Sequence, residues 1–245
     1  MNALQRGERI VLVMQQSRTE RIYANRGNPG VVRLVDRNAD SVLDVGCGAG
    51  DNATLLRARD PHKRLYGITA SSAEAAIAAQ HMRGCWVADL DGELPAEVVA
   101  QEYDVLIFSH VLEHLRDPQR VLKRLVGRLR PGGTCVIAVP NVMFWRQRWQ
   151  FLLGRFEYQA HGVMDDTHLR FFSFETAAPY LLAQTPELRV IEQRVTSSVP
   201  LWILRRRLLS PAVAGQLDAI GGKLWPNLFG GEVLLKCVKQ AQSPR

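Results

Sequence analysis

Cysteine is scarce and scattered. The four residues Cys47, Cys85, Cys135 and Cys237 form no pair with zinc-ligand spacing and are too few for a disulfide framework. A reduced, cytoplasmic protein is the expectation. No apolar stretch is long enough to span a bilayer. The first twenty residues carry Arg6, Glu8, Arg9, Arg18 and Glu20 without an apolar run, so no signal peptide is expected there. Low-complexity tracts and internal repeats are also missing. No Asn/Asp-Pro-Pro-Tyr motif of the kind used on nucleobases is present, since Pro140-Asn141-Val142 is not one.

What is present is 245 residues with 47% apolar content, enough for a sizeable core. The net charge of +7 is uneven: from Pro200 to Arg245 seven Lys/Arg stand against two acidic residues. A basic segment suits nucleic acid, an anionic membrane or an acidic substrate. Without a nucleic-acid motif, nucleic acid is disfavoured as a partner. Leu201, Leu204 and Leu208 at helical spacing, with Trp202 and Arg205–Arg207, suggest an amphipathic helix. Membrane-surface contact is its alternative reading, and a packed cap helix with a solvated basic face is favoured.

Strand and helix signals alternate from about residue 30 to 140. Strands are expected at Ser41–Val45, Arg64–Ile68, Cys85–Ala88, Tyr103–Ser109 and Thr134–Val139. Helices are expected at Asn52–Arg59, Ser72–Met82 and Pro118–Leu129, the last stopped by Pro131-Gly132-Gly133. Beyond Asn141 the period breaks. A helix at Ser173–Leu182 and strands at Arg189–Ser197 and Glu232–Gln240 complete the pattern. Alternation of this kind implies an α/β fold, a doubly wound and mostly parallel sheet with helices on both faces. Ligands then bind beyond the carboxyl ends of the strands. One domain over residues 1–245 is expected, with cap elements at about 142–172 and 200–231.

The run Val42-Leu-Asp-Val-Gly-Cys-Gly-Ala-Gly-Asp51 is the strongest local signal. A strand delivers Asp44 to the sheet edge, and glycines let the backbone turn sharply beside a ligand. A helix N-terminus follows with free N–H groups. Asp51 stands where a dinucleotide fingerprint needs its last glycine, which argues against NAD. With these residues the chain resembles class I S-adenosylmethionine (SAM)-dependent methyltransferases, well over Tyr23–Asn141 and again at the last strand. The resemblance implies a Rossmann-like seven-stranded fold and SAM as cofactor. It assigns the methionine end of SAM to Asp44, Gly46, Cys47, Gly48 and Gly50. Asp89 and Leu90 fall at the adenine, and Ser109 and His110 line the pocket. The ribose-binding acid of the family is replaced by Thr69, which cannot accept from both hydroxyls. A carboxylate introduced at position 69 is therefore expected to strengthen binding.

Ser109-His-Val-Leu-Glu-His-Leu115 looks like a segment of ubiquinone-type O-methyltransferases, with His114 either a base or a packing residue. Gly154-Arg-Phe-Glu-Tyr158, Asp165-Asp-Thr-His-Leu-Arg-Phe-Phe172 and Trp225–Phe229 resemble bacterial methyltransferases of polysaccharide and secondary-metabolite pathways. His168 with Asp165 or Asp166 is the first candidate for a catalytic base, and His161 the second. Metal binding by His161, Asp165 and His168 is the minor reading; no metal is expected, because no tight ligand spacing repeats. Trp145, Trp149, Phe151, Phe156 and Tyr158 are read as core before pocket wall. The expected activity is methyl transfer from SAM to a hydroxyl of a small metabolite or sugar. N-methylation and a catalytically silent SAM-fold partner are the alternatives.

Overall fold

The computed structural model describes residues 26–200 and 207–241. In chain order these form α1 (Pro29–Leu34), β1 (Ser41–Val45), α2 (Asp51–Arg59), β2 (Arg64–Thr69), α3 (Ser72–Ala78) and β3 (Gly84–Val87). Next come α4 (Ala96–Val99), β4 (Tyr103–Ser109), a 3-10 turn at Leu112–His114, α5 (Pro118–Val126) and β5 (Leu129–Pro140). The remainder is α6 (Trp145–Leu152), α7 (Phe174–Leu181), β6 (Leu188–Ser197), α8 (Pro211–Leu224), α9 (Pro226–Phe229) and β7 (Gly230–Lys239).

The seven strands make one sheet in the order β3-β2-β1-β4-β5-β7-β6. β1 to β5 pair in parallel, and β7 runs antiparallel to both β5 and β6. β1 is buried throughout, as a strand covered on both faces by helices must be, and Val42, Leu43 and Val45 reflect this, with Asp44 the buried exception near its carboxyl end. Strand order reverses between β1 and β4, so a crevice opens at their carboxyl ends. Register sets Asp44 between Gly67 of β2 and Ile107 of β4 at that crevice.

The helices lie on the two faces and bury two apolar clusters. One centres on Leu43, Leu106, Phe108 and the inner side of α5. The other centres on Val42, Ile107, Val31 and Leu56. α5 begins at Pro118, capped by the Asp117 side chain on the Arg120 N–H, and buries Val121, Leu122, Leu125 and Val126. It ends at Val126, earlier than its apolar period suggests. Leu129 instead opens β5 opposite Tyr103, while Thr134 faces Val105. Pro131-Gly132-Gly133 is thus an irregularity inside a strand and not the helix stop. α3 likewise ends at Ala78, short of Met82.

Of the expected caps, 142–172 carries α6 and a long loop bridged at Asn141–Phe172 and Gln159–Asp165. In the second, α8 begins after Ser210, which caps the Val213 N–H, and packs Gly221 and Gly222 against Val199 and Ser197 of the β6 end. Residues 201–206 of the suggested amphipathic helix, and Tyr23, lie outside the described residues. Among the described residues no helix is long and apolar enough to cross a membrane. The cap aromatics are not core. Trp149, Phe156 and Tyr158 are exposed, and Phe156 stacks on Phe151 at the surface.

Candidate active site

The loop after β1 is shaped by its glycines. Gly46, Gly48 and Gly50 take φ of +75°, +53° and +87°. At Gly46 the constraint is double, because a Cβ there would stand 2.6 Å from Cγ2 of Val111. The N–H groups of Gly46 and Cys47 both donate to the Ile68 carbonyl, at 2.8 and 2.9 Å, and tie the loop to the end of β2. α2 starts at Gly50 without a side-chain cap, so its first N–H groups face the crevice region unclaimed by a capping residue.

Asp44 is buried beneath this loop. Its Oδ2 accepts from Asn52 Nδ2 at 3.2 Å, while Oδ1 is buried with no hydrogen-bond partner. Burial pushes its carboxyl from 3.8 up to about 7, against the pull of the Asn52 bond. An orphaned carboxylate oxygen, a left-handed loop with no space for a side chain and an uncapped helix start together fit the charged methionine end of SAM.

At the end of β2 a buried carboxylate lies against Thr69. The Thr69 hydroxyl donates to Glu74 Oε2 at 2.8 Å, and both residues are buried. Glu74 sits in the first turn of α3, whose N-cap Ser71 accepts from the Glu74 N–H. Its charge reaches the glycine loop: burial first, and Glu74 next among the raising influences, push the Asp51 carboxyl up. The helix thus places a carboxylate beside Thr69, and a second one at position 69 would stand against it. The Ser71-x-x-Glu74 spacing of a helix start was the available signal. Asp89, exposed after β3, accepts the Asp91 N–H at 3.0 Å, with Leu90 buried beside it.

After β4 the chain turns through His110, the only non-glycine with positive φ among the described residues, at +54°. Its Nε2 meets Glu232 Oε2 at 2.7 Å and its Nδ1 lies 3.3 Å from Glu113 Oε1. Desolvation pulls the imidazole down, but the two carboxylates outweigh it and raise the pKa to about 10. The side chain is 41% exposed, so solvent screens part of this effect; the direction, protonated at neutral pH, is what the geometry supports. Glu232 also accepts from Asn28 Nδ2 at 2.8 Å and Thr196 Oγ1 at 2.9 Å. The Asn28 N–H in turn donates to Asn52 Oδ1 at 2.8 Å. A continuous polar chain thus runs Asp44–Asn52–Asn28–Glu232–His110–Glu113. Asn28 and Glu232 were not singled out from the sequence and no local pattern marks them, while Glu113 lies in the Ser109–Leu115 segment but was given no role of its own.

The cap folds back onto the turn after β4. The Leu169 and Arg170 N–H groups donate to the Glu113 carbonyl at 2.8 and 3.2 Å. This places the His168 ring 4.7 Å from the His114 ring, edge to face. His168 Nδ1 bonds the Val163 carbonyl at 3.0 Å. The expected His168–Asp165 side-chain pair does not form. Asp165 Oδ1 is spent on the Thr167 N–H and hydroxyl, at 2.9 and 2.5 Å, and the Thr167 oxygen lies 3.0 Å from His114 Nδ1. Asp165 therefore orients His114 through Thr167. Burial, foremost, holds His114 below the usual histidine value. His161 is exposed beside Gly162 and Asp166 is exposed, so neither joins the pair. Asn141, fully buried, braces the cap by donating to the Gly230 carbonyl at 2.8 Å.

The methyltransferase-domain family matches residues 17–178. The chain is 33% identical over 109 residues to trans-aconitate 2-methyltransferase of Klebsiella pneumoniae, covering 44% of this chain and 42% of that one. It is 31% identical over 129 residues to the ubiquinone biosynthesis O-methyltransferase of Rickettsia felis, covering 52% and 51%. The match spans about half the length of these curated relatives. A SAM-dependent methyltransferase from Archaeoglobus fulgidus shares the fold, with a TM-score of 0.55 and 17% identity over 83% of this chain and 87% of that one.

Proposed function

We propose, from the premise that the chain belongs to the class I SAM-dependent methyltransferase family and has SAM as its cofactor, that it methylates a hydroxyl oxygen of a small acceptor. The observation that carries this reading is the contact between the two halves of the site. Val111, which fills the space beside Gly46, lies two residues from Glu113 and three from His114. The glycine loop and the His114–His168 pair are thereby held at one end of the sheet.

SAM supplies an activated methyl on a sulfonium that departs as a neutral thioether, so the protein's share is positioning and proton handling. Asp44 and the α2 N-terminus bind the methionine end. Glu74, held by Thr69, accepts from the ribose hydroxyls. His168, with Nδ1 committed to Val163, directs Nε2 as the nitrogen able to take the acceptor's proton. His114, kept neutral by burial and oriented by Thr167, is its neighbour. The four free thiols support a reducing, cytoplasmic compartment.

The test is single-turnover methyl transfer across a panel of hydroxylated acceptors, read by mass gain of one methyl, beside SAM titrations. His168→Ala should lower turnover roughly 10²–10⁴-fold with SAM affinity nearly unchanged. Near-normal turnover in that variant would favour an amine acceptor, which needs no base. Absence of SAM binding in the wild type would sink the reading in favour of a silent partner protein.

A further inference from the structure

Three side chains distant in sequence meet where the cap closes on the turn after β4. Glu113, His114 and His168 each offer one ligating atom, and these atoms lie within 4.8 Å of one another. Sequence spacing could not reveal the set, because its third member comes from a different segment.

Glu113 is the first reason to read the cluster as more than packing. It is fully buried, and neither carboxylate oxygen has a hydrogen-bond partner. His110 approaches one oxygen at 3.3 Å as an ion pair without hydrogen-bond alignment. A buried carboxylate is costly unless cations or donors sit against it; His110 lies against Oε1 alone, and Oε2 is left without a partner.

The histidines give an independent reason. Both have Nδ1 occupied, His168 by the Val163 carbonyl at 3.0 Å and His114 by Thr167 Oγ1 at 3.0 Å. Each ring is thus fixed, with Nε2 left over. Metal-bound histidines carry this second hydrogen bond almost without exception, because it sets the tautomer and raises ligand basicity. The Thr167 hydroxyl donates to Asp165, so its lone pair is free to accept from the His114 N–H, and the support extends to a carboxylate. The backbone also pre-organises the cluster, since two N–H groups of the His168 segment bind the Glu113 carbonyl.

We propose that Glu113, His114 and His168 form a site for one divalent transition-metal ion. Two imidazoles and one carboxylate suit zinc, cobalt or ferrous iron, whereas magnesium and calcium demand oxygen ligands. Three protein ligands leave a position open for a substrate oxygen. In the context of the proposed function, on which this consequence rests, an acceptor hydroxyl at that position is acidified by the ion and gives its proton to water. His168 then acts as a ligand, and the ion does what the free imidazole does in the metal-free chain.

The full chain, freed of any affinity tag and stripped with a chelator, is titrated with Co²⁺ and followed by its visible absorption. Zn²⁺ retention after dialysis is measured in parallel. One equivalent of Co²⁺ is expected, with ligand-field bands that His168→Ala and Glu113→Gln abolish. Thr167→Val, which leaves every ligand in place, should weaken binding about 10–100-fold. His161→Gln, on the same loop but outside the cluster, should leave it unchanged. Circular dichroism of each variant guards against loss of fold, and His168, on a partly exposed loop, is the variant least exposed to that risk. No stoichiometric Co²⁺, or binding indifferent to His168→Ala and Glu113→Gln, overturns the proposal. SAM titration of the same stripped protein separates the two readings: SAM binding by a protein that takes up no stoichiometric Co²⁺ refutes only the metal site. Ion binding without SAM binding refutes only the methyltransferase reading.

Discussion

Replacing Asp44 by asparagine separates what the glycine loop costs in stability from what it gives in binding. Burial raises the Asp44 carboxyl from 3.8 to about 7. The native state therefore keeps a proton that the unfolded chain releases near pH 4. The contribution to stability is fully present below about pH 4, falls as pH rises, and is gone above about pH 7. At about 1.4 kcal/mol per pH unit, that interval corresponds to roughly 4 kcal/mol. Asparagine has nearly the same volume and preserves an oxygen for Asn52, but it brings an amide hydrogen to the orphaned Oδ1 position, a loss of about 1–3 kcal/mol. The ligand-free variant should thus be more stable than wild type above pH 7 by an amount on the order of 1–3 kcal/mol. The difference in unfolding free energy, followed by urea denaturation from pH 4 to 8, isolates Asp44 from the other carboxylates. SAM affinity should fall roughly 10–100-fold, since a charge-assisted hydrogen bond of about 1.5–3 kcal/mol is lost. A difference curve that is flat between pH 4 and 7, or unchanged affinity for S-adenosylhomocysteine by calorimetry, would refute the assignment of Asp44 as a buried, ligand-awaiting carboxylate.

Gly46→Ala should destabilise the fold by about 2–4 kcal/mol, from a left-handed backbone and overpacking on Val111. Adding Val111→Ala should restore the overpacking part only, as read by a double-mutant cycle in denaturant. Glu74→Gln should weaken SAM binding, and Thr69→Asp should weaken it too, because the new carboxylate would stand beside Glu74. Calorimetry showing tighter binding in Thr69→Asp would return the ribose contact to the strand end. The raised pKa of His110 predicts a stability contribution fully present below about pH 6.5 and lost as pH climbs through about 10. His110→Gln should flatten the Tm–pH curve over that window; an identical slope would place the sensitivity elsewhere.

The amino-acid sequence alone determined the α/β architecture, the strand positions and the glycine loop. These depend on contiguous residues: Val42, Leu43 and Val45 flanking Asp44, the helical spacing of Val121, Leu122 and Leu125, and glycines where φ must be positive. Its errors were local competitions won by tertiary pairing. Leu129 fits the period of α5 yet lies in β5, because Tyr103 offers it a strand partner. The aromatic cap reads as core by composition, but Trp149 and Phe156 have no layer above them.

Only the tertiary structure decided which polar groups meet. His110 and Glu232 are 122 residues apart and share a 2.7 Å contact, because β7 returns antiparallel beside β5. Asp165 and His168, close in sequence, do not pair, since Thr167 between them takes the carboxylate first. Glu74 reaches Thr69 only once the turn into α3 is built. His168 reaches Glu113 and His114 only because two backbone N–H groups of the cap find the Glu113 carbonyl. Periodicity and turn chemistry are properties of neighbours along the chain. A buried carboxylate's partners depend on which segments return to it, and that is settled when the sheet closes and the cap docks.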